Sequence, residues 1–107
     1  MGQGPAWLAE TPALVIGTVA ALQQENSIYV RGMAVLPVAR GCGAGSALLR
    51  QAQDWALEQS GNRLYLSTTP FLHSAIRLYE KFGFSRIDEE PRDLFGTALF
   101  FMEKHLS

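Results

Sequence analysis

The junction "AVLPVARGCGAGSALL", Ala34 to Leu49, constrains this chain more than any other stretch. On its left, "IYVRGMAVL" (Ile28–Leu36) is apolar and carries β-branched residues, which reads as a strand ended by Pro37. Gly41, Gly43 and Gly45 then alternate with small residues. On the right the period changes. Leu48, Leu49, Ala52, Trp55 and Ala56 fall on one helical stripe, and Arg50, Gln51, Asp54 and Glu58 lie mostly off it. A strand that enters a helix through glycines presents unpaired N–H groups and the positive end of a helix dipole. An anion can sit there without side chains intervening. Arg40 adds a positive charge at the same mouth. The junction therefore reads as a phosphate or pyrophosphate cradle, with a turn that only lets helix and strand pack closely as the plainer alternative.

The remaining segments place this junction in a fold. "AWLAE" is a short strand candidate before Thr11-Pro12, and "ALVIGTVAAL" (Ala13–Leu22) is a β-rich run closed by the polar "QQENS". That run and Ile28–Leu36 form a predicted hairpin. Ser60-Gly61-Asn62 stops the first helix, and "RLYLSTT" (Arg63–Thr69) is a strand. Thr69 followed by Pro70 reads as an N-cap and a first helical position. Leu72, Ala75, Tyr79 and Phe82 repeat at helical spacing up to Gly83, a natural stop. "FSRID" and "GTALFFMEKHL" are strands around the loop "EEPRDLFG". The order β-β-β-α-β-α-β-β predicts an α/β fold. Its sheet is mixed and mostly antiparallel, with a central parallel pair and helices packed on it. The strand–loop–helix–strand segment should cross over right-handed. At 107 residues, without repeats or linkers, the chain suits a single domain over 1–107.

Composition excludes several roles. A formal net charge of −1 argues against a nucleic-acid binder that works by bulk charge. Cys42 is the single cysteine, so no internal disulfide is possible. The start, "MGQGPAWLAE", lacks a basic region followed by an apolar run. No apolar stretch approaches the ~20 residues that span a bilayer. The expected location is a reducing cytoplasm, away from membranes.

Three ligand loops can be compared with "RGCGAGS". A nucleotide P-loop would end in Gly-Lys-Ser/Thr, which is absent. A dinucleotide fingerprint would want a small residue where Ser46 stands and an acid at the end of the next strand, which instead reads "LSTT". "GCGAG" also looks like the first motif of S-adenosylmethionine methyltransferases. Those enzymes typically carry acids where this chain has Arg40 and Ser67-Thr68.

A second motif narrows the choice. "AVLPVARGCGAGSALL", followed one helix and one strand later by "AIRLYEKFGF", resembles the GNAT superfamily of N-acetyltransferases. The family's Arg/Gln-x-x-Gly-x-Gly/Ala loop matches Arg40, Gly43 and Gly45. Its Ala-x-x-Leu-Tyr-x-Lys-x-Gly-Phe signature matches Ala75, Leu78, Tyr79, Lys81, Gly83 and Phe84. The likeness runs from about Leu14 to Leu106. It implies acetyl-CoA as co-substrate and an amine on a small molecule or peptide as acceptor, and it calls for no metal. The CoA pyrophosphate would sit on N–H groups from Arg40, Gly41, Cys42, Gly43, Ala44, Gly45 and Ser46. Backbone groups of Met33 and Val35 would hold the pantetheine arm beside Ile28–Leu36, where the parallel neighbour splays away. The N–H near Met33 or Ala34 would polarise the acetyl carbonyl. Tyr79 matches the tyrosine that protonates the departing thiolate.

Three departures from the family pattern are visible. Leu72 stands where the family often has an asparagine that contacts the cofactor, with His73 and Ser74 beside it. Ile28–Leu36 holds no carboxylate to serve as general base; Glu25, Asp93 and His73 are the candidate substitutes. The usual front strand and two helices are reduced to Met1–Glu10. Missing cover would expose apolar sheet and favour a homodimer. The implied function is an acetyl-CoA-dependent N-acetyltransferase that works by direct attack of the amine. A non-catalytic CoA-binding module and, more remotely, a methyltransferase-like domain stay open.

Overall fold

The computed structural model describes residues 4–11, 14–36, 43–87, 92–94 and 97–106. Three strands open the chain: β1 (Ala6–Thr11), β2 (Leu14–Gln24) and β3 (Ser27–Val35). Then come α1 (Ala44–Glu58), β4 (Arg63–Thr68) and α2 (His73–Phe82). Two short strands, β5 (Ser85–Arg86) and β6 (Arg92–Leu94), precede β7 (Thr97–His105). The sheet runs β1-β2-β3-β4-β7-β5, with β6 also paired to β7. Among the described residues only β3 and β4 pair in parallel, and every other pairing is antiparallel. The expected mixed sheet with a central parallel pair is what forms.

Both helices cover one face of the sheet. Leu48, Leu49, Ala52 and Ala56 of α1 are buried, as their spacing requires, against Val19, Val30, Leu64 and Met102. Trp55 meets Trp7 of β1 edge-on, with ring centroids 6.3 Å apart, and so ties the sheet's edge to α1. Lys104 of β7 links the two helices. Its Nζ donates to Gln53 Oε1 of α1 at 2.6 Å and lies 4.3 Å from the Phe82 ring centroid of α2.

Two boundaries differ from the sequence reading. α2 begins at His73, with Leu72 as its N-cap residue, rather than at Pro70. Leu72 N–H donates to the Thr69 carbonyl at 3.2 Å, closing a turn whose second position is Pro70. Proline's fixed φ serves that position as well as it serves a helix start. Leu72 consequently leaves the core stripe and is 53% exposed, whereas Ala75, Tyr79 and Phe82 do pack on the core. The segment "EEPRDLFG" is not all loop, because Arg92–Leu94 pairs with Thr97–Leu99.

Gly83 ends α2 at φ +112°, with Lys104 Cε 3.2 Å from where a β-carbon would sit. We expect Gly83→Ala to cost about 1–2 kcal/mol, since an L side chain resists positive φ. Urea unfolding of the two proteins measures this directly.

Candidate functional site

The parallel pair is short. β3 and β4 are registered only at Ser27 with Arg63, Ile28 with Leu64, and Tyr29 with Tyr65. Beyond Tyr29 the strands part, although β3 continues to Val35 and β4 to Thr68. The facing backbone edges of these extensions carry N–H and C=O groups that no ladder satisfies, and such groups demand partners. Between them lies a slot of about 190 Å³.

A β-bulge shapes one wall. Thr18 pairs with Ala34 and Ala20 with Arg31, so Val19 alone opposes Gly32 and Met33. Gly32 takes φ +64°, a conformation open to glycine, and its carbonyl accepts a 2.8 Å hydrogen bond from the Thr18 hydroxyl. The extra residue changes which face each side chain takes. Tyr29 and Arg31 stay on the helix-free face, while Met33 and Val35 turn to the helix face and pack on the core. The slot thus passes through the sheet, lined by Tyr29, Arg31 and Ser67 on one side and by Met33, Thr68 and Tyr79 on the other.

Tyr79 closes the helix side. Its ring is 6% exposed and lies 5.9 Å from the ring of Phe84. Burial pushes its phenol above the ordinary value. Among the described residues its hydroxyl has no hydrogen-bond partner, so it is available to a molecule in the slot. On the other side the Tyr29 and Ser67 hydroxyls meet at 3.1 Å, bridging the strands where the ladder has ended.

The start of α1 lies beside Met33, which lines the slot. Gly43 precedes the helix in a left-handed conformation, no side chain caps the first turn, and no acid stands in it. Gly45 is a point of close approach, since a β-carbon there would come within 2.6 Å of Leu78 on α2 and 3.3 Å of Met33. Of the expected cradle, Gly43, Ala44, Gly45 and Ser46 form the entry to α1. Arg40, Gly41 and Cys42 lie outside the described residues. Met33, Ala34 and Val35 stand on the splayed part of β3.

Known proteins match this arrangement. Residues 2–84 match the acetyltransferase (GNAT) family. The chain belongs to the GNAT family. Among relatives of this GNAT domain is an uncharacterised N-acetyltransferase of Escherichia coli. It is 38% identical over 86 residues, covering 77% of this chain and 52% of that protein. The domain spans 30–52% of the length of the curated relatives it matches. A GNAT-family acetyltransferase from Staphylococcus aureus superposes with TM-score 0.85 at 25% identity, covering 97% of this chain and 69% of that one. A streptothricin acetyltransferase homologue from Bacillus anthracis, solved with acetyl-CoA, shares the fold with TM-score 0.83 at 23% identity. That match covers 95% of this chain and 62% of the other.

Of the candidate bases, Glu25 and His73 are not among the residues that line the slot. Glu25 lies in the β2–β3 turn at φ +56°, and His73 is exposed at the start of α2. Asp93 lies on β6, and its side chain is outside the described set. No carboxylate is among the described residues that line the slot. Tyr29 and Ser67 are the slot residues whose sequence signal was weakest. Each sits at alternate spacing on a strand, and only the splay gives their hydroxyls a cavity to face.

Proposed function

We propose that this GNAT domain transfers an acetyl group from acetyl-CoA to a primary amine by direct attack. The observation that carries the reading is the slot, where two unpaired strand edges run beside a bare helix start and a tyrosine hydroxyl without a described partner. An extended arm with amide groups can pair with the β3 edge as a strand would. Backbone groups at Met33 and Val35 suit that role, and the N–H near Met33 or Ala34 suits the acetyl carbonyl. First-turn N–H groups of α1 at Gly43–Ser46 suit the pyrophosphate, with Arg40, Gly41 and Cys42 completing the cradle.

The chemistry then needs little beyond alignment. A neutral amine adds to the thioester carbon, the carbon–sulfur bond breaks, the thiolate departs, and the nitrogen sheds its extra proton to water as the amide forms. Holding the two groups in line supplies much of the rate. Tyr79 supplies the hydrogen bond or proton to the sulfur, and its buried phenol stays protonated well into the alkaline range.

A second reading has one observation behind it. Without a carboxylate among the described slot residues, a CoA-binding module without turnover would look the same. Thiol release from acetyl-CoA over a panel of amines separates the two. We expect turnover on at least one amine, together with a thermal shift from CoA and none from S-adenosylmethionine. CoA binding with no release on any amine would establish the module instead.

The domain is also proposed to act as a homodimer. Leu8 is 56% and Val15 42% exposed on the β1–β2 edge. Sedimentation at high micromolar concentration should show the dimer, and a monomer there overturns it.

A further inference from the structure

We propose that Arg31 makes this enzyme select acceptors that carry a carboxylate beside the amine, such as free amino acids. The inference rests on the acetyl-transfer reading above. The start of α1 and Tyr79 lie on the helix face, so the thioester enters from there. The amine must then arrive through the opposite mouth, which Tyr29, Arg31 and Ser67 line.

Two arginines of this face, among the described side chains, differ in one respect. Arg63 is fully engaged. It pairs with Glu103 at 2.9 Å, donates to Ser27 Oγ at 3.1 Å and stacks over Tyr65. Arg31 is exposed at the mouth, and among the described residues its guanidinium has neither an acid nor a hydrogen-bond acceptor. Its register partner on β2 is Ala20, which cannot shield it. The bulge at Gly32 helps fix this placement, because Arg31 is the last side chain before the face alternation resets.

A lone ammonium that nears this mouth meets a guanidinium and, among the described residues, no carboxylate, so these residues repel it. A carboxylate on the same acceptor reverses the sign of the encounter. Guanidinium binds carboxylate through two parallel N–H···O bonds, which also orients the attached amine. The Tyr29 and Ser67 hydroxyls can accept from that amine. Lysine side chains and polyamines lack the compensating charge and should be poor acceptors.

The test compares amino acids with their own primary amides as acceptors, using thiol release from acetyl-CoA by the whole chain. The unaltered protein should favour the acid over the amide by about 10-fold or more in kcat/KM. Arg31→Gln should bring that ratio close to one, chiefly through KM, and Arg31→Lys should restore part of it. A ratio near one in the unaltered protein overturns the proposal, as does an unchanged ratio in Arg31→Gln. CoA affinity, measured by calorimetry on each protein, separates the two levels of failure. Transfer with CoA bound but without acid preference refutes the role of Arg31 alone. No CoA binding and no transfer to any acceptor refutes the acetyl-transfer reading and this proposal with it.

Discussion

Tyr79→Phe is expected to lower acetyl transfer by about 10²–10⁴-fold, the usual worth of a positioned acid, while the fold and CoA affinity are kept. Phenylalanine preserves the ring, which is what packs against Phe84 and the core. Only the hydroxyl facing the slot is lost. The raised phenol pKa has two consequences of opposite sign. It makes Tyr79 a weaker acid than an exposed tyrosine. Proton transfer to a thiolate of ordinary pKa ~8.5 is therefore uphill, and the hydroxyl works best as a hydrogen bond that strengthens as charge builds on sulfur. It also keeps the proton in place while amines deprotonate. The rate should thus rise with pH as the acceptor becomes neutral, with no phenol ionisation cutting it off below about pH 10. Unchanged turnover in Tyr79→Phe would remove Tyr79 from this role, whereas a falling limb near pH 8 that vanishes in that variant would keep the role and overturn the raised phenol pKa.

Leu49→Ala should destabilise the domain by about 2–5 kcal/mol, against a total of about 5–15 kcal/mol for a domain of ordinary stability. Leu49 is 0% exposed and sits where α1 meets the sheet. Truncation there loses apolar burial and leaves a cavity that a rigid helix and sheet fill poorly. Thermal unfolding should drop by roughly 10 °C or more. Leu57→Ala on the same helix is the control. Leu57 is 47% exposed, so its loss should move stability by no more than about 0.5 kcal/mol. Equal effects at the two positions would show that helix propensity, rather than burial, dominates at these sites.

What the sequence disclosed follows from which signals are periodic. The stripe on α1 was legible because five apolar residues share one face, and four of them are fully buried. The strands flanking the slot were legible from apolar runs. Pro70 misled because one fixed φ serves both a turn and a helix start. β6 escaped notice because three residues are too few to show alternation. Gly32 inside a strand was the one hint of a bulge. Tyr79 and the Gly43–Ser46 entry were found through the paired motifs, not through composition. The slot itself was expected from the resemblance, because nothing in the residues of β3 or β4 says where pairing should stop. Arg31 is one charge within an apolar run, and only its register sets it at the mouth.

The three-rung seam between β3 and β4 also has a mechanical meaning. It divides the sheet into two leaflets, β1-β2-β3 and β4-β7-β5, joined at one end like the blades of shears. α1 lies across both leaflets and acts as the clamp, with the Tyr29–Ser67 hydroxyl contact as a light latch. Amides of β3 and β4 that face each other beyond the rungs should exchange with solvent far sooner than those that pair with β2 and β7. A molecule that bridges those edges would suture the leaflets, so ligand occupancy and the cooperativity of unfolding should rise together.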